Sequence, residues 1–371
     1  MRPFLVTHEI FRRPAFGRHH PLATRRQAAV QDLIEVLGWR DPALTRVPAL
    51  PARAVIERFH VPDYLDALEQ ADAAGRATTE MRERYNLGTM ECPVFPGFWD
   101  RARATVGGSM LAAELVLTGG VAFHPTGGTH HGRPDRASGF CYLNDPIFAV
   151  MRLLDAGLTR VLHVDLDAHH GDGVEAAFAD DLRVSLVSLH EDGRWPGTGR
   201  PEDTHGGRVL NVPVPRGIND SEYALVLERL VYPFVRRAEP EALVILLGAD
   251  GLAGDPLSGM QLSNDVLWRA CGRLAAMSPR AVVLGGGGYN PWTTARLWTG
   301  MWGLLAGHDI TGDLPLAAQA VLASLDCDLV DDEDRDPAWL TTLIDAPNVG
   351  PIRPEVMALI ERHPLRPSSI D

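Results

Sequence analysis

The run Val161 to Gly173 reads VLHVDLDAHHGDG, and it limits what this chain can become. It begins as a buried strand, because Val161, Leu162, Val164 and Leu166 are apolar and β-prone. It ends in a burst of Asp and His closed by glycine. Asp165 and Asp167 are two apart, so on a strand they point the same way, and His169 follows as the strand runs out into a loop. Ionisable groups at the end of a buried strand are costly unless something offsets them, and a bound cation is the simplest offset. Turn formation is the plain alternative, since Asp and Gly favour turns. It gives no reason for three ionisable groups to follow an apolar strand.

The chain of 371 residues can build a large core, with 45% hydrophobic and 22% charged residues as in an ordinary globule. A net charge of −13 argues against a general nucleic-acid binder. The longest apolar runs, such as Ala242 to Leu247, are too short to span a bilayer, so no membrane is expected. The N-terminal MRPFLVTHEIFRRP lacks the pattern of a signal peptide. Cys92, Cys141, Cys271 and Cys327 have neither zinc-finger nor disulfide-framework spacing, which fits a reducing, cytoplasmic compartment.

Strands are expected at 4–8, 121–123, 161–167, 184–189, 242–247 and 281–284. Helices are expected at 26–37, 62–74, 98–117, 145–155, 173–178, 221–237 and 265–277, with a short one at 354–362. Residues 53–59 read as strand or helix, and 86–97 as a loop rich in Pro and Gly. The loop 12–26, RRPAFGRHHPLATRR, is either a solvated surface or a functional loop near an anionic product. The acidic run Asp326 to Asp336 reads as an exposed loop. Strand–helix alternation of this kind favours an α/β fold with a mostly parallel sheet and helices on both faces. No linker or internal repeat is visible, so one domain is expected.

In such a sheet, ligands bind at the carboxyl ends of the strands. Four clusters sit there: HHGRPD, DLDAHHGDG, LGADGLAGDP and LGGGGYN. All four should converge on one edge. Asp167, His169 and Asp250 supply two carboxylates and an imidazole, a set that leaves room for water and is ambiguous between zinc and iron(II). His130 and His131 suit acid–base work, and Asp165 and Asp172 are placed to orient one imidazole each. Tyr289 follows Gly285 to Gly288, which lack the lysine of a phosphate loop. A flexible glycine hinge presenting a phenol fits better, and a phenol near a metal can stabilise an oxyanion.

These motifs resemble the histone deacetylase superfamily, which includes bacterial acetoin-utilisation proteins and acetylpolyamine amidohydrolases. The resemblance covers roughly residues 4 to 305. It rests on THHGRPDRASGFCYLND (129–145), VDLDAHHGDGVEAAF (164–178), SLH (188–190), PGTG (196–199), LGADGLAGDP (247–256) and GGGGYN (285–290). It implies an arginase/deacetylase-type single domain, with a C-terminal extension over 306–371, and a zinc amidohydrolase, while the donor set itself leaves Fe2+ open beside Zn2+. By this resemblance Asp167, His169 and Asp250 are the metal ligands. His130 with Asp165 and His131 with Asp172 are the dyads, and Tyr289 polarises the acetyl carbonyl. Gly139, Phe140 and Trp195 wall the acyl-lysine tunnel, with Trp195 in place of the more usual Phe. Glu91 stands where relatives commonly have an Asp that holds the substrate backbone. Leu257 occupies the position where polyamine-specific relatives carry a Glu.

Arg26 aligns with a basic residue linked to acetate exit. A structural K+ site would use Asp165, Asp167, His169, Ser188 and Leu189. The resemblance implies removal of acetyl or short acyl groups from acetyl-lysine of a protein or peptide, with an acetylated small amine such as an acetylpolyamine as the alternative substrate. A pocket that only binds acyl-lysine is the non-enzymatic alternative. Arginase-like chemistry would need a second, carboxylate-rich metal site that the motifs do not assemble.

Overall fold

The chain was analysed as a computed structural model that describes residues 3–17 and 19–367. Arg18 of the 12–26 loop lies outside the described residues. Eight strands form one sheet: β1 (Phe4–Val6), β2 (Thr45–Arg46), β3 (Gly120–His124), β4 (Val161–Asp165), β5 (Val184–Glu191), β6 (Val209–Val214), β7 (Ala242–Leu246) and β8 (Arg280–Leu284). Their order is β2-β1-β3-β8-β7-β4-β5-β6, and every adjacent pair is parallel.

The central strands are apolar on both faces because both faces are covered. Along β7, Leu243 and Ile245 enter one cluster and Ala242 and Val244 the other, and β8 divides its residues in the same way. Helices Arg26–Val36, Asn264–Ala275 and Pro291–Ala306 cover the first face. Helices Phe98–Leu115, Asp145–Asp155 and Asp172–Phe178 cover the second. Among the described residues no helix is long and apolar enough to cross a membrane.

Several elements differ from expectation for physical reasons. The strand expected over 161–167 ends at Asp165. Asp165 Oδ1 accepts the N–H of Asp167 at 3.1 Å, and Asp167 Oδ1 accepts that of His169 at 3.0 Å. These side-chain turns draw the chain out of the sheet, so Asp167 and His169 stand in the loop beyond it. The ambiguous 53–59 segment holds a short helix, Arg53–Ile56. β6 was absent from the expected set because it contains Pro213, and it lies at the sheet edge, where a proline costs no ladder bond. Helix Pro291–Ala306 is buried on almost every side through Gly303 and shows little amphipathic pattern to betray it. The 221–237 helix runs from Asp220 to Ala238 with one wider turn at Leu227–Val231 just before Pro233, which has no N–H to give.

Residues beyond 306 pack on the first face. Leu314, Ala318, Leu322, Trp339 and Val356 join its core, Arg296 Nη1 meets Asp345 Oδ1 at 2.6 Å, and Arg353 Nε meets Glu222 Oε1 at 2.8 Å. The acidic 326–336 run is largely exposed. Its Cys327 nevertheless donates to the carbonyl of Tyr289 at 3.5 Å.

Candidate metal centre and active site

The four clusters follow β3, β4, β7 and β8, which are consecutive in the sheet, so they meet at one edge. Asp167, His169 and Asp250 bring one ligand atom each to within 4.8 Å of one another, all buried. His169 Nδ1 lies 2.8 Å from Asp250 Oδ2 and 3.2 Å from Asp167 Oδ1. The remaining carboxylate oxygens are held by backbone: Gly287 N–H donates to Asp167 Oδ2 at 2.6 Å, and Ala168 N–H to Asp250 Oδ1 at 2.9 Å. Burial, with Asp167 beside it, pushes Asp250 up to about 6. The His169 imidazole is raised to about 10, because the two carboxylates outweigh its burial. Two buried carboxylates that crowd one imidazole, each fixed by an N–H from behind, fit a divalent cation.

His130 Nδ1–H donates to Asp165 Oδ2 at 2.7 Å, and His131 Nδ1–H to Asp172 Oδ1 at 2.8 Å. A carboxylate can only accept, so both rings carry their proton on Nδ1. Arg133, in the same HHGRPD cluster, binds the other oxygen of Asp172. His131 sits edge-on to Trp195, with ring centroids 4.6 Å apart.

Tyr289 is buried, 5.7 Å from Phe140 and 6.2 Å from His169 between ring centroids. Burial, with Asp250 and Asp167 nearby, raises its hydroxyl well above the usual phenol value, so it is a donor at neutral pH. The glycines before it are no flexible hinge. A Cβ on Gly287 would lie 2.1 Å from Asp250 Oδ2, and Gly286 at φ +150° packs against Leu246 and Gly248. Gly286 and Gly287 are glycine because the chain passes too close to Asp167 and Asp250 for any side chain, and Gly285 and Gly288 are pressed as closely against Pro125 and Thr294. Asp255 Oδ2 then accepts the N–H of Tyr289 at 2.7 Å, and Asn290 Oδ1 caps the following helix at Trp292 and Thr293.

A cleft of about 320 Å³ leads to this centre. Its walls include Gly139, Phe140, Trp195 and Leu257, with His131, His169 and Tyr289 also lining it. Glu91 lines the cleft too, but its Oε2 accepts from Asn86 Nδ2 at 2.9 Å and its Oε1 from Gly139 N–H. Its position braces the Phe140 wall. A second cavity of about 90 Å³ lies behind Tyr289 and the two histidines, lined by Arg26 and Arg101. Arg26 Nη1 donates to Gly288 O at 2.6 Å, and burial lowers its affinity for a proton. The 12–26 loop reaches this cavity through Phe16, Leu22 and Thr24.

Asp165 and Ser188 are register partners on β4 and β5, and Leu189 is buried beside them. Three of the residues expected around a monovalent ion, Asp165, Ser188 and Leu189, are therefore neighbours across β4 and β5. Ser188 Oγ stands 3.0 Å from His190 Nδ1.

Sequence reasoning missed Arg133, Asp255 and Asn144. Asn144 Nδ2 donates to the carbonyls of His130 and Gly132, at 2.9 and 3.0 Å. All three lie inside motifs already singled out, but Arg133 and Asp255 act on another motif, and Asn144 acts on backbone twelve to fourteen positions away in its own.

A family profile described as "Histone deacetylase domain" matches residues 20–305. The chain belongs to the histone deacetylase family. It is 35% identical to histone deacetylase 8 of Xenopus tropicalis over 299 residues, 78% of this chain and 80% of the relative. It is 33% identical to the acetoin utilization protein AcuC of Bacillus subtilis over 315 residues, 80% and 81% of the two chains. The crystal structure of a histone deacetylase homologue from Aquifex aeolicus superposes with a TM-score of 0.92 at 32% identity, covering 98% of this chain and all of that one. A crystal structure of a homologue complexed with SAHA matches equally well. The expected deacetylase-type α/β fold is thus the observed one.

Proposed function

We propose that this chain is a zinc-dependent amidohydrolase that removes acetyl groups from lysine side chains and releases acetate. The observation that carries it is the joint position of His131, His169 and Tyr289 at the end of one cleft walled by Phe140 and Trp195. An aromatic-walled slot suits the apolar stem of an acyl-lysine. A divalent cation held by Asp167, His169 and Asp250 would supply Lewis acidity toward an amide carbonyl and acidify water, with Zn2+ preferred and Fe2+ as the alternative. His131 is pushed down to about 4 by burial and the neighbouring His130 charge, so its Nε2 is free to take a proton at neutral pH. Asp172 holds the ring from behind. Water attacks the acetyl carbon as it loses its proton to His131 Nε2, and the Tyr289 hydroxyl donates to the developing oxyanion. The same His131 proton then goes to the leaving amine. Acetate leaves through the cavity beside Arg26. A K+ held by backbone carbonyls near Asp165 to His169 and by Ser188 and Leu189 would brace the ligand loop.

Leu257 on the cleft wall offers no carboxylate for a distal ammonium, which favours acetyl-lysine over an acetylpolyamine. The test is turnover of an acetyl-lysine peptide and of an acetylpolyamine, with and without chelator, beside Tyr289→Phe and Asp250→Ala. Tyr289→Phe should lose about 10²–10³-fold in kcat and keep its metal, as expected for one oxyanion donor. Asp250→Ala should lose the metal. Full activity in chelator, or in Tyr289→Phe, would sink this mechanism.

A further inference from the structure

The mouth of the cleft carries one more charged group, Arg194, beside Trp195 and Leu257. Its side chain is 25% exposed, while its partner Glu191 is 4% exposed. Glu191 Oε1 accepts from Arg194 Nη2 at 2.7 Å, and Oε2 accepts from Gly259 N–H and from Ser258 Oγ. Glu191 is thereby tied to the segment after β7, and it acts as a buried anchor that fixes where the guanidinium sits. Of the arginine's donors, Nη2 is engaged this way and Nε is buried, whereas Nη1 makes no hydrogen bond among the described residues. A planar guanidinium held from behind with donors to spare is suited to a carboxylate. Nothing comparable awaits a cation: both oxygens of Glu91 are already hydrogen-bonded, and Leu257 is apolar.

We propose that Arg194 determines specificity by binding a carboxylate that the substrate carries next to its acetylated side chain. This rests on the deacetylase reading of the same cleft. The carboxylate is either the α-carboxylate of a free or C-terminal acetyl-lysine, or an Asp or Glu side chain flanking acetyl-lysine in a peptide. The same guanidinium disfavours acylpolyamines, whose distal ammonium it repels.

Matched substrate pairs separate the two sources. One pair is Nα-blocked Nε-acetyl-lysine as its free acid and as its α-amide. The other is an acetyl-lysine peptide with Asp or Asn beside the modified residue. In the wild type, kcat/KM should favour the carboxylate by about tenfold in one pair or both, falling with added salt. Arg194→Ala should bring that ratio to about one, and Arg194→Lys should restore part of it. Equal kcat/KM within both pairs, or a ratio that survives Arg194→Ala, overturns the proposal. A calorimetric titration of Tyr289→Phe with acid and amide reads binding without turnover. A preference for the acid there, with no turnover of any substrate by the wild type, would uphold carboxylate recognition and refute the deacetylase reading. No preference in that titration and no turnover would refute both.

Discussion

His130–Asp165 and His131–Asp172 are built from the same residue types on adjacent histidines, with nearly equal hydrogen bonds of 2.7 and 2.8 Å, yet they hold protons oppositely. Burial pushes both imidazoles down. For His130, Asp165 and Asp167 together outweigh burial and hold it up at about 9, with Asp167 Oδ1 3.8 Å from its Nε2. For His131, burial and the His130 charge win, and the group falls to about 4. The ring centroids are 3.9 Å apart, so a proton on one is felt by the other. Asp172 is also shared with Arg133, which spends part of its charge. A carboxylate behind an imidazole therefore does not make it basic by itself. The charges that the carboxylate already serves decide whether the ring stores a proton or waits for one.

The largest test removes each ring in turn. His131→Ala should lower kcat on an acetyl-lysine peptide by about 10³-fold, within the usual range for a general base, and leave metal content unchanged. His130→Ala should cost about tenfold, because its proton is electrostatic company for the site rather than the one transferred. Equal losses, measured by steady-state kinetics with metal analysis of both variants, would break the distinction between the pairs. A cation between Asp167, His169 and Asp250 would repel the His130 proton as well, so the metal-loaded protein should narrow the gap between the rings from the His130 side.

A smaller change should move only one member. Arg133→Gln returns the full charge of Asp172 to His131, which favours the imidazolium. The base is then lost at a higher pH, so the acid limb of kcat/KM should shift upward by about one unit. Arg133 is 31% exposed on its side chain, and solvent screening limits the shift. A downward movement of that limb would mean that Asp172 does not set the His131 proton affinity.

The contrast also marks what was legible in the sequence. Asp165, Asp167, His169 and Asp172 could be assigned as a group because they crowd the end of one apolar strand, where spacing alone speaks. Asp250 and Tyr289 followed from the rule that strand ends share an edge. Arg133, Asp255 and Arg194 stayed silent because their effects cross between segments: Asp255 reaches Tyr289 N–H across 34 positions. The glycines before Tyr289 looked like a hinge because a glycine run reads the same whether it bends freely or lies pressed against Asp250. The helix Pro291–Ala306, buried on almost every side, and the edge strand with Pro213 escaped for lack of a period and through a strand-breaking residue.

One residue should touch both pairs alike, and its effect on catalysis should be the smallest. His60 is fully buried beneath the loop that carries the two histidines. Its Nδ1–H donates to Arg133 O at 2.9 Å, and its Nε2 accepts the N–H of Asn144 at 3.2 Å, the residue that grips the His130 and Gly132 carbonyls. A second proton on the ring would set donor against donor at Asn144, and burial holds the group down at about 3. The folded value lies below the unfolded 6.5, so the unfolded chain binds the extra proton between those limits. The stabilisation is complete above pH 6.5 and is lost as pH falls toward 3, by up to about 1.4 kcal/mol per unit. His190, also held down at about 3, adds its own slope, so the informative quantity is wild type minus His60→Gln. Denaturant melts at pH 6 and pH 5 should show a slope shallower by about one proton in the variant. Its kcat should fall modestly with the acid limb in place, because a loosened loop displaces both rings without altering the charges around either. A shifted limb would mean that His60 acts on one pair electrostatically instead of on both through Asn144.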